Sequence, residues 1–410
     1  MVSLQAIVAC PGPLGIFEQS LALQEAGALG SMATGFYSNM EGWPLRTLPP
    51  QGRFRRHLLK RHHPGLDPGK VRMRPLTTVR PELARRIIGT GARYDRLVFR
   101  ANHSFDRWVA ANIERFGNLA IGYESSSLHT FTAAERRGLP RILYQPIATA
   151  ECALEILGEE ARRNPHLAGT LRYNYFPAAE LARRREERSL ADAVFCASSF
   201  TRDSLVTRGV DERRIRVIPY GVDQEVFRPD KRKFDRFSVI WAGSFTQTKG
   251  IGYLLEALVR QPVPDAELVL AGYPSGEDPV RSFEDRIHVR RVGHLTRPEL
   301  AAIMGRCHAH VFPSLLDGFG RNIIEAMASG LPVIATPHSA APDLIEDGVT
   351  GFVVPIQDVD AICERLRWIS ENPAEAHAMG LRARASVAHL TKASYRRRFA
   401  SAVLDVWDAS

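Results

Sequence analysis

The sequence predicts an α/β protein made of two doubly wound units, and three observations carry that reading. Strand, loop and helix recur in register: residues 4–9 lead through a loop to a helix from Ile16, residues 237–243 to one from Ile251, and residues 309–312 to one after Gly320, with glycines in each loop. A charged, proline-bearing stretch, Phe227-Arg228-Pro229-Asp230-Lys231, has the composition of a boundary between units. The 410 residues, 45% of them hydrophobic, suffice for two or three domains with well-filled cores. The expected division is 1–225, 236–390 and a last helix over 391–410.

Composition narrows the class. No continuous apolar run reaches the roughly 20 residues of a membrane span, and residues 1–10 lack the basic region and apolar core of a signal peptide, so the simplest reading is cytoplasmic. Cys10, Cys152, Cys196, Cys307 and Cys363 are odd in number and scattered, which argues against a disulfide framework and against a zinc site. The net charge of +9 is concentrated: residues 46–100 hold 15 Lys and Arg against three Asp and Glu, a local balance of +12. Such a surface can attract anionic lipid, nucleic acid or an anionic substrate, or simply be solvated.

Taken in order, residues 4–9 read as a strand, Pro11-Gly12-Pro13-Leu14-Gly15 as a loop, and 16–28 as a helix. Residues 43–81 are rich in Arg, His, Pro and Gly. If Phe54, Leu58 and Leu59 share a helical face, the basic groups around them, Arg53, Arg55, Arg56 and Arg61, suit an anionic membrane surface. Residues 96–100 and 119–123 read as two more strands, each followed by polar residues that include His103 and Glu124. Strand ends are where open α/β sheets bind ligands. Residues 237–243 form a strand, 244–250 a loop carrying Lys249, and 251–259 a helix, a combination that cradles an anion. Residues 268–272 form a strand ending in Gly272, and 287–295, with Gly293, His294 and Leu295, lead to a helix over 297–306. Helices are expected from Asp358, Pro373 and Ser394, the last packing back on the first domain. Asp358-Val359-Asp360 spells a metal-binding pattern, but its place at a helix start favours capping.

The stretch around which the chain is organised runs from Val311 to Thr336 and reads as strand, glycine loop, helix and strand. A helix beginning after Gly318-Phe319-Gly320 points unpaired N–H groups and its positive dipole end at the loop, which suits a phosphate or sugar oxygen. Asp317 precedes that helix and Glu325 lies within it, with seven residues between them. They sit on different elements, unlike the close carboxylate pair of a glycosidase, and so suit different parts of one ligand.

These residues, with Lys249 before Gly250 and the runs at 191–201 and 215–223 in the same order, resemble the family-4 retaining glycosyltransferases, whose signature is two acidic residues flanking seven others. The usual first residue is glutamate; here it is Asp317. The resemblance implies a GT-B fold, with a nucleotide-sugar donor held mainly by the second domain and a glycan, lipid-linked or small-molecule acceptor on the first. It implies catalytic roles for Lys249, which neutralises the leaving diphosphate, and for Asp317. It places Gly318, Phe319, Gly320, Arg321, Asn322 and Ile323 at the donor sugar and phosphate, and Glu325 on the ribose hydroxyls. Ser244 and Gly272 would be further donor contacts, and backbone groups of the turn at 292–295, with Gly293, His294 and Leu295, would meet the base. Gly12 and Gly15 would approach the donor's phosphate or sugar, or else form only a tight turn. His103 and Glu124 are the acceptor-side candidates.

The sequence departs from the family's pattern at two places. Tyr123 and Glu124 stand where many members carry a histidine, and Ser244 stands where an arginine usually accompanies the lysine, so Arg321 is the candidate for a second cation. No metal or cofactor is expected. An anionic membrane surface at the inner face is a candidate partner. An epimerase or phosphorylase of the same architecture would show a different acid-base or cofactor site. A scaffold or nucleic-acid binder is the reading from another class; aromatic residues are not interleaved with the basic run as RNA binding would need, so no nucleic acid is expected.

Overall fold

The computed structural model describes residues 3–12, 15–38, 61–78, 81, 91–171, 175–274 and 277–410. The amphipathic segment expected around Phe54 to Leu59, with Arg53, Arg55 and Arg56, lies outside the described residues, as do Pro13 and Leu14.

Two parallel sheets form the protein. The first has β1 (Ala6–Cys10), β2 (Leu29–Thr34), β3 (Val71–Met73), β4 (Leu119–Tyr123), β5 (Arg141–Tyr144), β6 (Ala193–Cys196) and β7 (Ile215–Val217), in the spatial order β3-β2-β1-β4-β5-β6-β7. The second has β8 (Ser238–Ala242), β9 (Glu267–Ala271), β10 (His288–Gly293), β11 (Ala309–Phe312), β12 (Val333–Ala335) and β13 (Phe352–Val353), in the order β10-β9-β8-β11-β12-β13. Each order reverses once, between β1 and β4 and between β8 and β11. At such a point neighbouring loops leave in opposite directions and open a crevice at the carboxyl ends of the strands. The loops after β1, β8 and β11, three that the sequence marks with glycine, therefore border these crevices.

Burial on both faces explains the nearly unbroken apolar runs of these strands. In β1, Ala6, Val8 and Cys10 face one core, which also holds Tyr123 and Tyr144, while Ile7 and Ala9 face another, with Phe105 and Phe131. In β8, Val239 and Trp241 face one side and Ile240 the other. The helix Lys392–Asp408 returns to the first unit. Tyr395, Phe399 and Val403 join the core that contains β1, and Arg396 donates to Glu18 and Glu25 of the helix Ile16–Glu25.

Two features differ from the sequence reading. Residues 96–100 are not a strand: they lie in the helix Ala92–Ala111, which buries Phe105, Asp106 and Val109 and leaves Leu97 exposed. Leu97-Val98-Phe99 is too short an apolar run to separate strand from helix, and the burial that decides the matter comes about two and three turns later. The helix Ala150–Arg163, which precedes β6 in sequence, packs with the second unit, where Ala153 and Leu157 share a core with Trp241, Phe245 and Leu254. Asp358 is the N-cap of Val359–Glu371 and accepts from the Ala361 N–H at 2.9 Å.

Candidate functional site

After β8 the chain makes a turn of 3-10 helix, Gln247–Lys249, and enters the helix Ile251–Arg260 through Gly250 at φ 74°. A side chain at Gly250 would be strained there, and its Cβ would stand 1.9 Å from the Pro313 carbonyl oxygen. That close approach joins the loop to the one after β11, where Leu315 N–H donates to the Thr248 carbonyl at 3.0 Å. Lys249 Nζ then reaches across to donate to the Leu316 carbonyl at 2.8 Å and to Asp317 Oδ2 at 2.6 Å. Asp317 Oδ1 accepts from the N–H groups of Phe319 at 2.9 Å and Gly320 at 2.8 Å. Burial pushes the Asp317 carboxyl up, but Lys249 and these two N–H groups outweigh it and hold the group below the usual carboxylate range. Asp317 therefore stays ionised, with its charge directed into its own loop and at Lys249.

The helix Arg321–Ala328 starts at this loop. Arg321 projects into the crevice, where its guanidinium lies 4.5 Å from the centre of the Tyr220 ring, a cation–π contact with a residue from the first unit's side. Asn322 donates to the Ala242 carbonyl at 2.8 Å, while its buried Oδ1 has no partner. One turn on, Glu325 is buried. Its Oε1 lies in ion contact with Arg297, and a carboxylate offers about four lone-pair sites, so it keeps capacity to accept. Burial raises the Glu325 pKa, and Arg297 and then Arg321 oppose that rise. Arg297 rests over the Phe227 ring.

These groups line one cavity of about 590 Å³ between the two units, to which Pro146 and Tyr220 come from the first. The cavity gathers Lys249, Asp317, Phe319, Gly320, Arg321, Asn322 and Glu325, together with Ser244, Gly272, His294 and Leu295. Other candidates lie off it. Ile323 is core, and Gly293 uses its carbonyl to accept from Gly272 N–H at 2.8 Å. Gly318 is packed against the first unit: its carbonyl accepts from Ser198 Oγ at 2.6 Å, and a Cβ there would meet the Pro146 carbonyl oxygen at 1.8 Å. Gly12 is not in the cavity lining, and Gly15 faces the hydroxyls of Tyr220 and Tyr123 instead.

The two acceptor-side candidates are committed elsewhere. His103 lies inside the helix Ala92–Ala111, not at a strand end, with Nε2 3.0 Å from Glu180. Glu124 does follow β4, but it is buried and accepts from Arg184 at 2.6 Å and Arg188 at 3.2 Å. Both partners belong to the helix Ala178–Leu190, whose charged residues read in isolation as a solvated surface. Conversely, Arg297 belongs to no motif, and Tyr220, though within the run 215–223, carries no sign there of a site role; only the fold brings them beside Glu325 and Arg321. Among the described residues no three His, Cys, Asp or Glu side chains gather in a metal-holding arrangement.

The fold and the cavity define a two-unit α/β protein with a crevice lined by Lys249, Arg321 and the buried carboxylate of Glu325. Residues 223–386 match the family described as glycosyl transferases group 1, and residues 159–226 match glycosyltransferase family 4. The chain is 30% identical over 268 residues to a GDP-mannose-dependent alpha-(1-6)-phosphatidylinositol monomannoside mannosyltransferase of Mycolicibacterium smegmatis, covering 60% of this chain and 68% of that one. It is 28% identical over 203 residues to an MMP alpha-(1->4)-mannosyltransferase of Mycolicibacterium hassiacum, covering 48% and 49%. The chain thus spans about half the length of the latter relative. The fold is shared with HepE of Anabaena in complex with UDP-glucose, at a TM-score of 0.65 and 15% identity over 99% of this chain and 100% of that one. The chain belongs to the group 1 glycosyltransferases, with the GT-B fold.

The Arg297–Glu325 contact yields a first prediction. Removing Arg297 takes away the foremost group that opposes the effect of burial, so in Arg297→Ala the Glu325 carboxyl should take up its proton at a higher pH than in the parent. A carbon-detected NMR titration of the Glu325 side chain reads this directly. An unchanged midpoint would show that Arg297 does not act on the carboxylate.

Proposed function

We propose that the protein moves a sugar from a nucleoside diphosphate sugar to a hydroxyl of a glycan, lipid-linked or small-molecule acceptor, with retention at the anomeric carbon and without a metal. The observation that supports this most is the placing of opposite chemistries along one cavity. Glu325 offers a buried carboxylate with accepting capacity to vicinal ribose hydroxyls, while Arg321 and the start of the helix Arg321–Ala328, one turn back, and Lys249 from the loop after β8 present positive charge to the same cavity. The bond that breaks joins the anomeric carbon to the diphosphate oxygen, the new one joins that carbon to the acceptor oxygen, and the proton of the acceptor hydroxyl passes to the departing diphosphate. Negative charge then grows on the diphosphate, where groups already fixed in place lower the barrier without rearranging. Lys249 is so fixed by Asp317, which in this reading orients the cation and holds the glycine loop. Arg321 stands in for the arginine that Ser244 replaces. The mannosyltransferase names of two relatives and the UDP-glucose bound to HepE favour a nucleotide-sugar donor.

Calorimetric titration with UDP-, GDP- and ADP-sugars tests the donor. One base series should bind, and Glu325→Gln should weaken that binding by about 1.5–3 kcal/mol, the usual worth of a hydrogen bond to a charged group, while the protein stays folded. If no series binds, the reading is wrong. Transfer should also persist in EDTA, because Lys249 and Arg321 supply the positive charge; activity lost on chelation and restored by Mn²⁺ would contradict the metal-free part.

The basic run at 46–100 suggests that the acceptor is presented at an anionic membrane face. Among the described residues no helix is long and apolar enough to cross a membrane, so such an enzyme would dock peripherally. Flotation with anionic vesicles should show binding at low salt that fades toward 1 M, where the Debye length falls to about 3 Å. Protein that ignores these vesicles at low salt would remove the membrane from the account.

A further inference from the structure

Outside the crevice, the most fully engaged buried carboxylate that carries no ion pair among the described residues is Glu160, on the helix Ala150–Arg163. Its Oε1 accepts from Gln247 Nε2 at 2.7 Å and Asn164 Nδ2 at 2.8 Å; its Oε2 accepts from Tyr253 Oη at 2.6 Å and Gln357 Nε2 at 2.7 Å. Three of the four donors belong to the second unit and come from separate segments: the loop after β8, the helix Ile251–Arg260, and the turn before Val359–Glu371. Gln357 delivers its amide from φ 63°, a conformation disfavoured for a residue with a side chain. A buried carboxylate is costly unless its lone pairs are filled, and here neutral donors fill them, so the group acts through direction.

Gln247 stands two residues before Lys249, in the same turn of 3-10 helix. Its Oε1 accepts from Gly252 N–H at 3.0 Å, and its own N–H donates to Thr170 Oγ1 at 2.9 Å. The turn that aims Lys249 at Asp317 is therefore held on one side by the loop after β11 and on the other by residues 160–170.

We infer that Glu160 is a positioning residue for the transfer reaction, fixing Gln247 and through it the turn that carries Lys249. This rests on the role given to Lys249 above. A displacement of about 1 Å at a group that must meet developing charge can cost on the order of a hundredfold in rate.

Glu160→Gln keeps the shape but brings an amide N–H₂ toward amide and hydroxyl donors, so at least one is left unpaired. Turnover should fall roughly tenfold or more. Added to Lys249→Ala, the same change should cost almost nothing further, because its effect runs through that lysine. The reciprocal variant E160Q/Q247E restores a donor facing an acceptor and should regain much of the turnover. A folded Glu160→Gln with normal turnover, or one whose loss adds in full to that of Lys249→Ala, would overturn the inference. If Glu160→Gln cannot be purified folded, Gln247→Met, which leaves the other three donors in place, is held to the same two outcomes. A fully active Lys249→Ala would instead refute the role of Lys249 itself, and the inference with it; a crippled Lys249→Ala beside an unaffected Glu160→Gln refutes the inference alone.

Discussion

The contact on which the site depends is the one between Lys249 and Asp317. It joins the loops after β8 and β11 across 68 residues of sequence, at 2.6 Å. Each partner limits the other. Asp317 cannot turn outward without releasing the N–H groups of Phe319 and Gly320, and Lys249 cannot swing away without leaving the Leu316 carbonyl. A partly exposed ion pair is worth little as stability by itself. Its importance here is geometric: it fixes a cation beside the beginning of a helix, so two sources of positive potential point at one place.

Around that contact the two units are closely seated. Gly318 packs on the Pro146 carbonyl, and Arg321 lies on Tyr220, whose hydroxyl is 2.5 Å from that of Tyr144 in β5. Tyr220 also meets Phe319 edge-on at 5.2 Å and Tyr395 of the last helix at 5.4 Å. Aromatic contacts thus run from the returning helix, through the chain that links the sheets, to the glycine loop. On the first unit, the helix Ala178–Leu190 does comparable work with charge. Glu187 accepts from the N–H groups of Ser125, Ser127 and Leu128, and burial raises its pKa to about 7, while Arg184 and Arg188 hold Glu124.

Much of the second unit was legible because its local and global signals agree. The strands Ala309–Phe312 and Val333–Ala335 and the helix from Arg321 fall where apolar run, glycine and period place them. Lys249, Asp317 and Glu325 were readable as one constellation through the resemblance to the family-4 glycosyltransferases, whose motifs they match in order. Leu97-Val98-Phe99 misled because tertiary burial, not local period, decides its state. β2 and β5 escaped notice: Leu29-Gly-Ser-Met-Ala-Thr carries little strand preference, and Arg141-Ile-Leu-Tyr is only four residues long. Arg297 and Glu160 could not be read at all, for the partner of Arg297 lies 28 residues away and three of the four partners of Glu160 lie 87 or more away on other elements, and no spacing rule connects them.

The central claim is that the crevice between the sheets holds a nucleoside diphosphate with its ribose at Glu325 and its phosphates between Lys249 and Arg321. A crystal structure of the protein soaked with the nucleoside diphosphate of the preferred donor tests it most directly. The account predicts both ribose hydroxyls within hydrogen-bond distance of the Glu325 carboxylate and the terminal phosphate at the start of the helix Arg321–Ala328. A nucleotide seated instead in the separate cavity bordered by Asn164, Tyr253 and Arg286, with Glu325 still closed on Arg297, would contradict it.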